Sequence, residues 1–144
     1  MAIARYARAL AVVLMVMLPR ITATARNPAQ GTAQDEVSRF EGRWRGHSSR
    51  VAKGAACRDE TVVYHIAKLP EKSGYVSVNA DKLVNGHPVN MGTLEFRYDQ
   101  DQHALVCEYI QGVWRFKLEG GKMEGILTAP DKTIFRRVTL SKEP

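Results

Sequence analysis

The feature that most constrains this chain is a series of short runs in which apolar and polar residues alternate, broken at short intervals by turn residues. Alternation places successive side chains on opposite faces of a strand. No long segment carries apolar residues at helical spacing, so an α-helical architecture is excluded. Eight strands are predicted: Phe40 to Ser48, Asp59 to Leu69, Tyr75 to Val84, Val89 to Tyr98, Ala104 to Ile110, Val113 to Leu118, Lys122 to Thr128 and Thr133 to Ser141. The clearest hairpin signal is Asn85-Gly86, since both residues accept the positive φ of a type I′ turn. Pro70 stops the second strand, and Gly120-Gly121 and Pro130-Asp131-Lys132 mark further turns.

Eight strands joined mostly by short turns favour an all-β, eight-stranded antiparallel up-and-down barrel. Closure removes the sheet edges that would otherwise template aggregation. A two-sheet sandwich is the alternative, but it usually needs longer crossing connections. In the first strand, Phe40, Gly42, Trp44 and Gly46 share one face, while Arg39, Glu41, Arg43, Arg45 and His47 share the other. One face is apolar with gaps and the other is charged, as expected of a wall strand with one wet side. Its glycines suit a strand that bends hard or lets another backbone approach.

The segment Met1 to Ala25 reads as a cleavable signal peptide. Arg5 and Arg8 precede the apolar run Ala9 to Leu18, Pro19 breaks it, and Ala23-Thr24-Ala25 offers the small residues a signal peptidase accepts. The run is about half the ~20 residues of a membrane span, so no span is expected after cleavage. Residues 26–36 read as a polar, flexible lead-in, with Asp35 able to cap a short helical turn over Glu36 to Arg39. The barrel domain is then 37–144, one domain of ordinary size. A periplasmic or secreted location is expected.

Cleavage also changes the charge. The full chain is formally +6, and removing Arg5, Arg8 and Arg20 from its 21 basic residues leaves 18 against 15 acidic ones. A mildly basic chain without interleaved aromatic and basic residues does not read as a nucleic-acid binder.

The Gly42-Arg43-Trp44-Arg45-Gly46 stretch resembles the G-x-W motif on the first strand of lipocalins and their calycin relatives. The resemblance implies a barrel closed at one end by a short helix before the first strand. It also implies a basic residue of the last strand packed over the tryptophan. Arg136 has the inward parity for that role, making Gly42, Trp44 and Arg136 the expected barrel-closing set. The nitrobindin-like haem proteins among the calycins extend the motif to G-x-W-x-G-x-G and carry a late haem-ligating His. Here Ser48 replaces the third glycine and no His follows His103, so haem is not expected.

Few residues carry chemistry. Cys57 and Cys107 are the two cysteines, and an even count in an exported chain reads as a disulfide; the alternative is two thiols, with Cys107 buried as a small hydrophobe. His47, His65, His87 and His103 have no metal-ligand spacing. Asp59, Glu60, Asp99, Asp101 and Asp131 fall at turns, with no pair singled out for acid–base work. There is no G-x-S-x-G and no phosphate loop. No catalytic residue, metal or cofactor is therefore expected. Arg39, Arg43, Arg45, Arg50 and Lys53 gather around the first strand, joined by Arg136 and Arg137 if the first and last strands pair. Such a wall is either a solvated face or a docking surface for an acidic protein or an anionic envelope component.

Two functions remain. One is a binding protein holding a small apolar ligand inside the barrel, lined by Trp44, Val76, Val78, Phe96, Trp114 and Phe116. The other is a cavity-less module, such as an inhibitor of an envelope or secreted enzyme, acting through its turns and basic wall. A void inside the barrel favours the first; a filled core with an ordered, protruding loop favours the second.

Overall fold

The structure is a computed structural model and describes residues 33–51 and 58–144. The expected signal segment, Lys53 and Cys57 lie outside the described residues. A short helix, α1 (Ala33–Phe40), leads into eight strands: β1 (Gly42–Arg50), β2 (Glu60–Lys68), β3 (Tyr75–Val84), β4 (His87–Asp99), β5 (Ala104–Tyr109), β6 (Gly112–Glu119), β7 (Lys122–Thr128) and β8 (Ile134–Lys142). Each strand pairs antiparallel with its sequence neighbour, and β8 returns to β1, closing an eight-stranded up-and-down barrel. Among the described residues no helix is long and apolar enough to cross a membrane.

The helix differs from the sequence expectation. It begins at Ala33, so part of the expected lead-in is helical and Asp35 lies inside the first turn instead of capping it. Asp35 and Glu36 in that turn complement the positive end of the helix dipole. Val37 and Phe40 are its buried face. Phe40, expected in the first strand, ends the helix instead, and the Trp44 indole N–H donates to its carbonyl at 2.8 Å. That bond satisfies one of the carbonyls a helix end leaves open.

Alternation explains the interior. Trp44, Tyr64, Val76, Val78, Phe96, Leu105, Trp114, Phe116, Val138 and Leu140 all join one apolar cluster. Two of the glycine-dependent close approaches are in β1 and β7. A Cβ on Gly46 would lie 1.9 Å from the Thr139 carbonyl oxygen, so β8 can run this close only past a glycine. A Cβ on Gly125 would lie 2.2 Å from the Phe116 ring, which occupies the space a side chain would fill. At the predicted hairpin, Asn85 and Gly86 have φ of 51° and 80°, as a type I′ turn requires.

Besides a register shift between β3 and β4 at Ala80 and Asp81, two irregularities of the ladder bear on the interior. First, β4 pairs with β3 along most of its length but with β5 only through Arg97, Tyr98 and Asp99. Second, the β7–β8 register shifts between Leu127 and Thr128, whose partners are Arg136 and Ile134. Phe135 is the extra residue of that bulge. Strict alternation put Phe135 outward; the bulge turns it against the core cluster instead.

Candidate ligand cavity

The barrel has two unlike ends. At the lower end, α1 covers the start of β1, and Phe40 and Trp44 are each 2% exposed. The Glu41 carboxylate ties this corner to β2, meeting Lys68 Nζ at 3.1 Å and accepting from the Lys68 backbone N–H at 3.3 Å. At the upper end, where β1 stops and β2 starts, no element covers the interior among the described residues. There a pocket of about 420 Å³ opens between the walls, within the range of sites that hold small molecules.

Its body is apolar and aromatic. Val78 and Ala80 of β3, Leu94 and Phe96 of β4, Trp114 and Phe116 of β6, Leu127 of β7 and Phe135 of β8 line it. Trp114 stacks on Phe116 at 5.3 Å between ring centroids and 9° between planes. Phe116 also meets Phe96 at 5.3 Å and Tyr64 edge-on at 5.9 Å. Met91, Gly92 and Thr93 line the pocket on the β4 side, and Tyr109 and Gln111 line it across the short β4–β5 seam. The exposed large hydrophobics Val51, Val84, Val89, Met91 and Ile110 all belong to this upper end, and Ile110 is 93% exposed.

One side of the mouth is polar. The Arg136 guanidinium, 11% exposed, donates to the Ser48 hydroxyl at 2.8 Å, to the Ser48 carbonyl at 3.5 Å and to the Arg58 carbonyl at 3.4 Å. It also lies 3.5 Å from the Glu60 carboxylate, whose other oxygen meets Lys82 Nζ at 3.4 Å. Ser48, Glu60, Tyr64 and Arg136 all line the pocket. Burial pushes the Tyr64 hydroxyl well above its usual pKa, with Arg136 pulling down and Glu60 pushing up by smaller amounts. Tyr64 is therefore a neutral hydroxyl. Burial raises Tyr109 likewise, opposed by a hydrogen bond from Trp114.

The expected site residues divide. Val78, Phe96, Trp114 and Phe116 line the cavity, whereas Trp44 and Val76 sit in the packed core outside its lining. Arg136 has the inward parity expected of it but stands at the opposite end of the barrel from the role assigned to it. The β1–β8 register sets Arg136 against Arg50 and Lys142 against Trp44. Lys142 is accordingly the cation over the indole, with Nζ 5.5 Å from the ring centroid. Parity assigns a side chain to a face, but only register assigns it a level. Ser48, Glu60 and Tyr64 were not anticipated. Ser48 shares inward parity with Trp44, and Tyr64 shares it with Val62 and Ile66, so alternation carried a signal for both; Glu60 read as a turn residue.

The remaining candidates are dispersed. Cys107 is buried, and that burial pushes its thiol pKa up; Cys57, its expected partner, lies outside the described residues. His47 faces Asp59 at 3.7 Å and His65 faces Asp81 at 3.4 Å, both near the surface. No three His, Cys, Asp or Glu side chains gather as a metal site among the described residues. The basic wall is largely met by local acids. Arg39 pairs with Glu36 at 2.8 Å, and Arg43 and Arg45 share Glu143 at 2.6 and 3.9 Å. The Arg50 guanidinium lies over Phe135, 5.7 Å from the ring centroid.

No family model matches the chain, and no curated protein matches it. Among solved structures, a dog lipocalin allergen is 15% identical over 70% of each chain, with a TM-score of 0.44. A point mutant of the fluorescent protein UnaG is 12% identical, covering 75% of this chain and 99% of its own, with a TM-score of 0.46. Neither likeness bears on what this chain binds.

Proposed function

We propose that this chain is an exported binding protein that holds one small, largely apolar molecule in the upper half of its barrel. The observation that carries the reading is the cavity itself: about 420 Å³ of space walled by stacked aromatic and aliphatic side chains and, among the described residues, open at one end. Protein interiors are otherwise close-packed, and an apolar void forfeits contacts that filling side chains would make. A ligand would restore them. The exposed apolar residues around the mouth offer an approach for such a molecule. The alternative of a cavity-less inhibitor draws less support, since the interior keeps a pocket and Arg39, Arg43 and Arg45 already meet local acids.

Export rests on the Met1 to Ala25 segment, and it would bring Cys57 and Cys107 into an oxidising compartment. Intact mass with and without reductant, after alkylation, tests that pairing; two thiols labelled without reductant would end it. For the binding function, native mass spectrometry of the protein purified from its own cell envelope is the test. A single stoichiometric small-molecule adduct is expected, removable by organic extraction. A bare chain that also fails to bind N-phenyl-1-naphthylamine, a neutral apolar fluorophore, would contradict the reading.

A further inference from the structure

We propose that the ligand is amphipathic and singly anionic: a carboxylate or sulfonate-type group held at the mouth by Arg136 and Lys82, with its apolar body lying against Phe96, Trp114 and Phe116. This rests on the reading of the cavity as a ligand site and adds the ligand's charge and orientation.

The polar side of the mouth is not electrically balanced. Arg136 and Lys82 share one carboxylate, that of Glu60. The other acids nearby face elsewhere: Asp59 accepts from the Arg50 backbone N–H at 3.0 Å and faces His47, while Asp81 faces His65. Counted over these three side chains alone, Arg136, Lys82 and Glu60 carry one positive charge in excess, beside a cavity whose body is apolar. Burying a guanidinium is costly unless its donors are met.

The contacts Arg136 makes are also those of a group awaiting a better acceptor. Its shortest bond is to a neutral hydroxyl, Ser48 Oγ at 2.8 Å. Its approach to Glu60, at 3.5 Å, is longer than the ~2.7–2.9 Å of a charge-assisted hydrogen bond. No carboxylate grips its fork in a bidentate manner among the described residues. A monoanion entering the pocket would meet the Arg136 guanidinium and the Tyr64 hydroxyl in its lining, with Lys82 behind Glu60 as a second cation. Phe96, Trp114 and Phe116 line the same pocket. A dianion would overcompensate the single excess charge, and a neutral molecule would leave it unmet.

A matched pair of fluorophores tests this. N-phenyl-1-naphthylamine and 8-anilino-1-naphthalenesulfonate share one aromatic body, and only the second bears a sulfonate. Both are titrated into the wild-type protein and into Arg136→Gln, Glu60→Gln and Lys82→Met, with the melting temperature of each variant recorded. The quantity read is the ratio of sulfonate to neutral-probe affinity. Arg136→Gln is expected to lower that ratio about tenfold, the loss of a hydrogen bond to a charged group. Lys82→Met should lower it by a smaller factor. Glu60→Gln removes the competing carboxylate and should raise it, which keeps the test alive even where Arg136→Gln does not fold. Ratios unchanged in Glu60→Gln and Lys82→Met, with the neutral probe still bound, would overturn the charge inference and leave the cavity reading standing. Failure of both probes to bind the wild type would remove both.

Discussion

The two ends of this barrel put the same kinds of residue to different uses. Each end holds one of the chain's two tryptophans and a cation from β8. At the lower end, Trp44 caps the carbonyl of Phe40, Lys142 covers its ring and α1 seals the space. At the upper end, Trp114 stacks on Phe116 beside an open pocket, and Arg136 turns into the mouth among Ser48, Glu60 and Tyr64. One end is packed, and the other keeps apolar and charged surface near solvent. The contrast teaches that tight packing in a small barrel can be concentrated at one end, while the described residues of the other end leave a pocket between the walls.

Deletion of the two tryptophans should break the symmetry most visibly. Trp44→Ala removes a fully packed indole and the helix-capping bond, and should cost about 3–5 kcal/mol in denaturant unfolding. Trp114→Ala enlarges a space that already exists and should cost at least about 1 kcal/mol less. Equal losses would mean the two ends are equally packed.

Insertion probes the same difference from the other side. Val76 and Val78 share the inward face of β3, but only Val78 reaches the cavity. Val76→Phe should overpack the lower core and cost about 1–3 kcal/mol. Val78→Phe should be tolerated within about 1 kcal/mol, because its ring has room. It should also weaken binding of the neutral fluorophore.

The neighbouring arginines of β8 come next. Arg136→Ala leaves Glu60 with Lys82 as its remaining cation and should cost about 1–2 kcal/mol. Arg137 is exposed on the outer face, and Arg137→Ala should stay within about 0.5 kcal/mol of wild type. Were the order reversed, the register of β8 would have to be redrawn.

The smallest effect is a pH dependence. Burial holds the Tyr64 hydroxyl above its ordinary pKa of 10.0, so the unfolded chain loses this proton first as pH rises. The unfolded state then binds fewer protons than the native one, and stability falls with increasing pH. The Tyr64 contribution is thus intact below about pH 10 and is lost as pH climbs toward the raised native pKa. Tyr64→Phe should flatten the alkaline limb of a melting-temperature profile while leaving the neutral region nearly unchanged. An equally steep alkaline limb in that variant would show that Tyr64 is not buried as described.

Much of this was readable from the residues. Turn chemistry at Asn85-Gly86 and Gly120-Gly121 and the alternation between turns placed all eight strands, because both are local properties. The inward parity of Val78, Phe96, Trp114, Phe116 and Arg136 followed from the same alternation. Non-local properties were not readable. Which end Arg136 occupies depends on the β1–β8 register, and the inward turn of Phe135 depends on a bulge against β7. The Ser48–Arg136–Glu60 group needs three strand levels to coincide, and no spacing along the chain encodes that.

The central claim, that a guest occupies the upper end and spares the lower, can be read directly from the two indoles. With 5-fluorotryptophan incorporated throughout, the chain gives two ¹⁹F resonances, assigned by Trp44→Phe and Trp114→Phe. On titration with N-phenyl-1-naphthylamine, the Trp114 resonance should move and saturate at one equivalent while the Trp44 resonance holds its position. A Trp44 resonance that moves first, or two resonances that both stand still, would contradict the account.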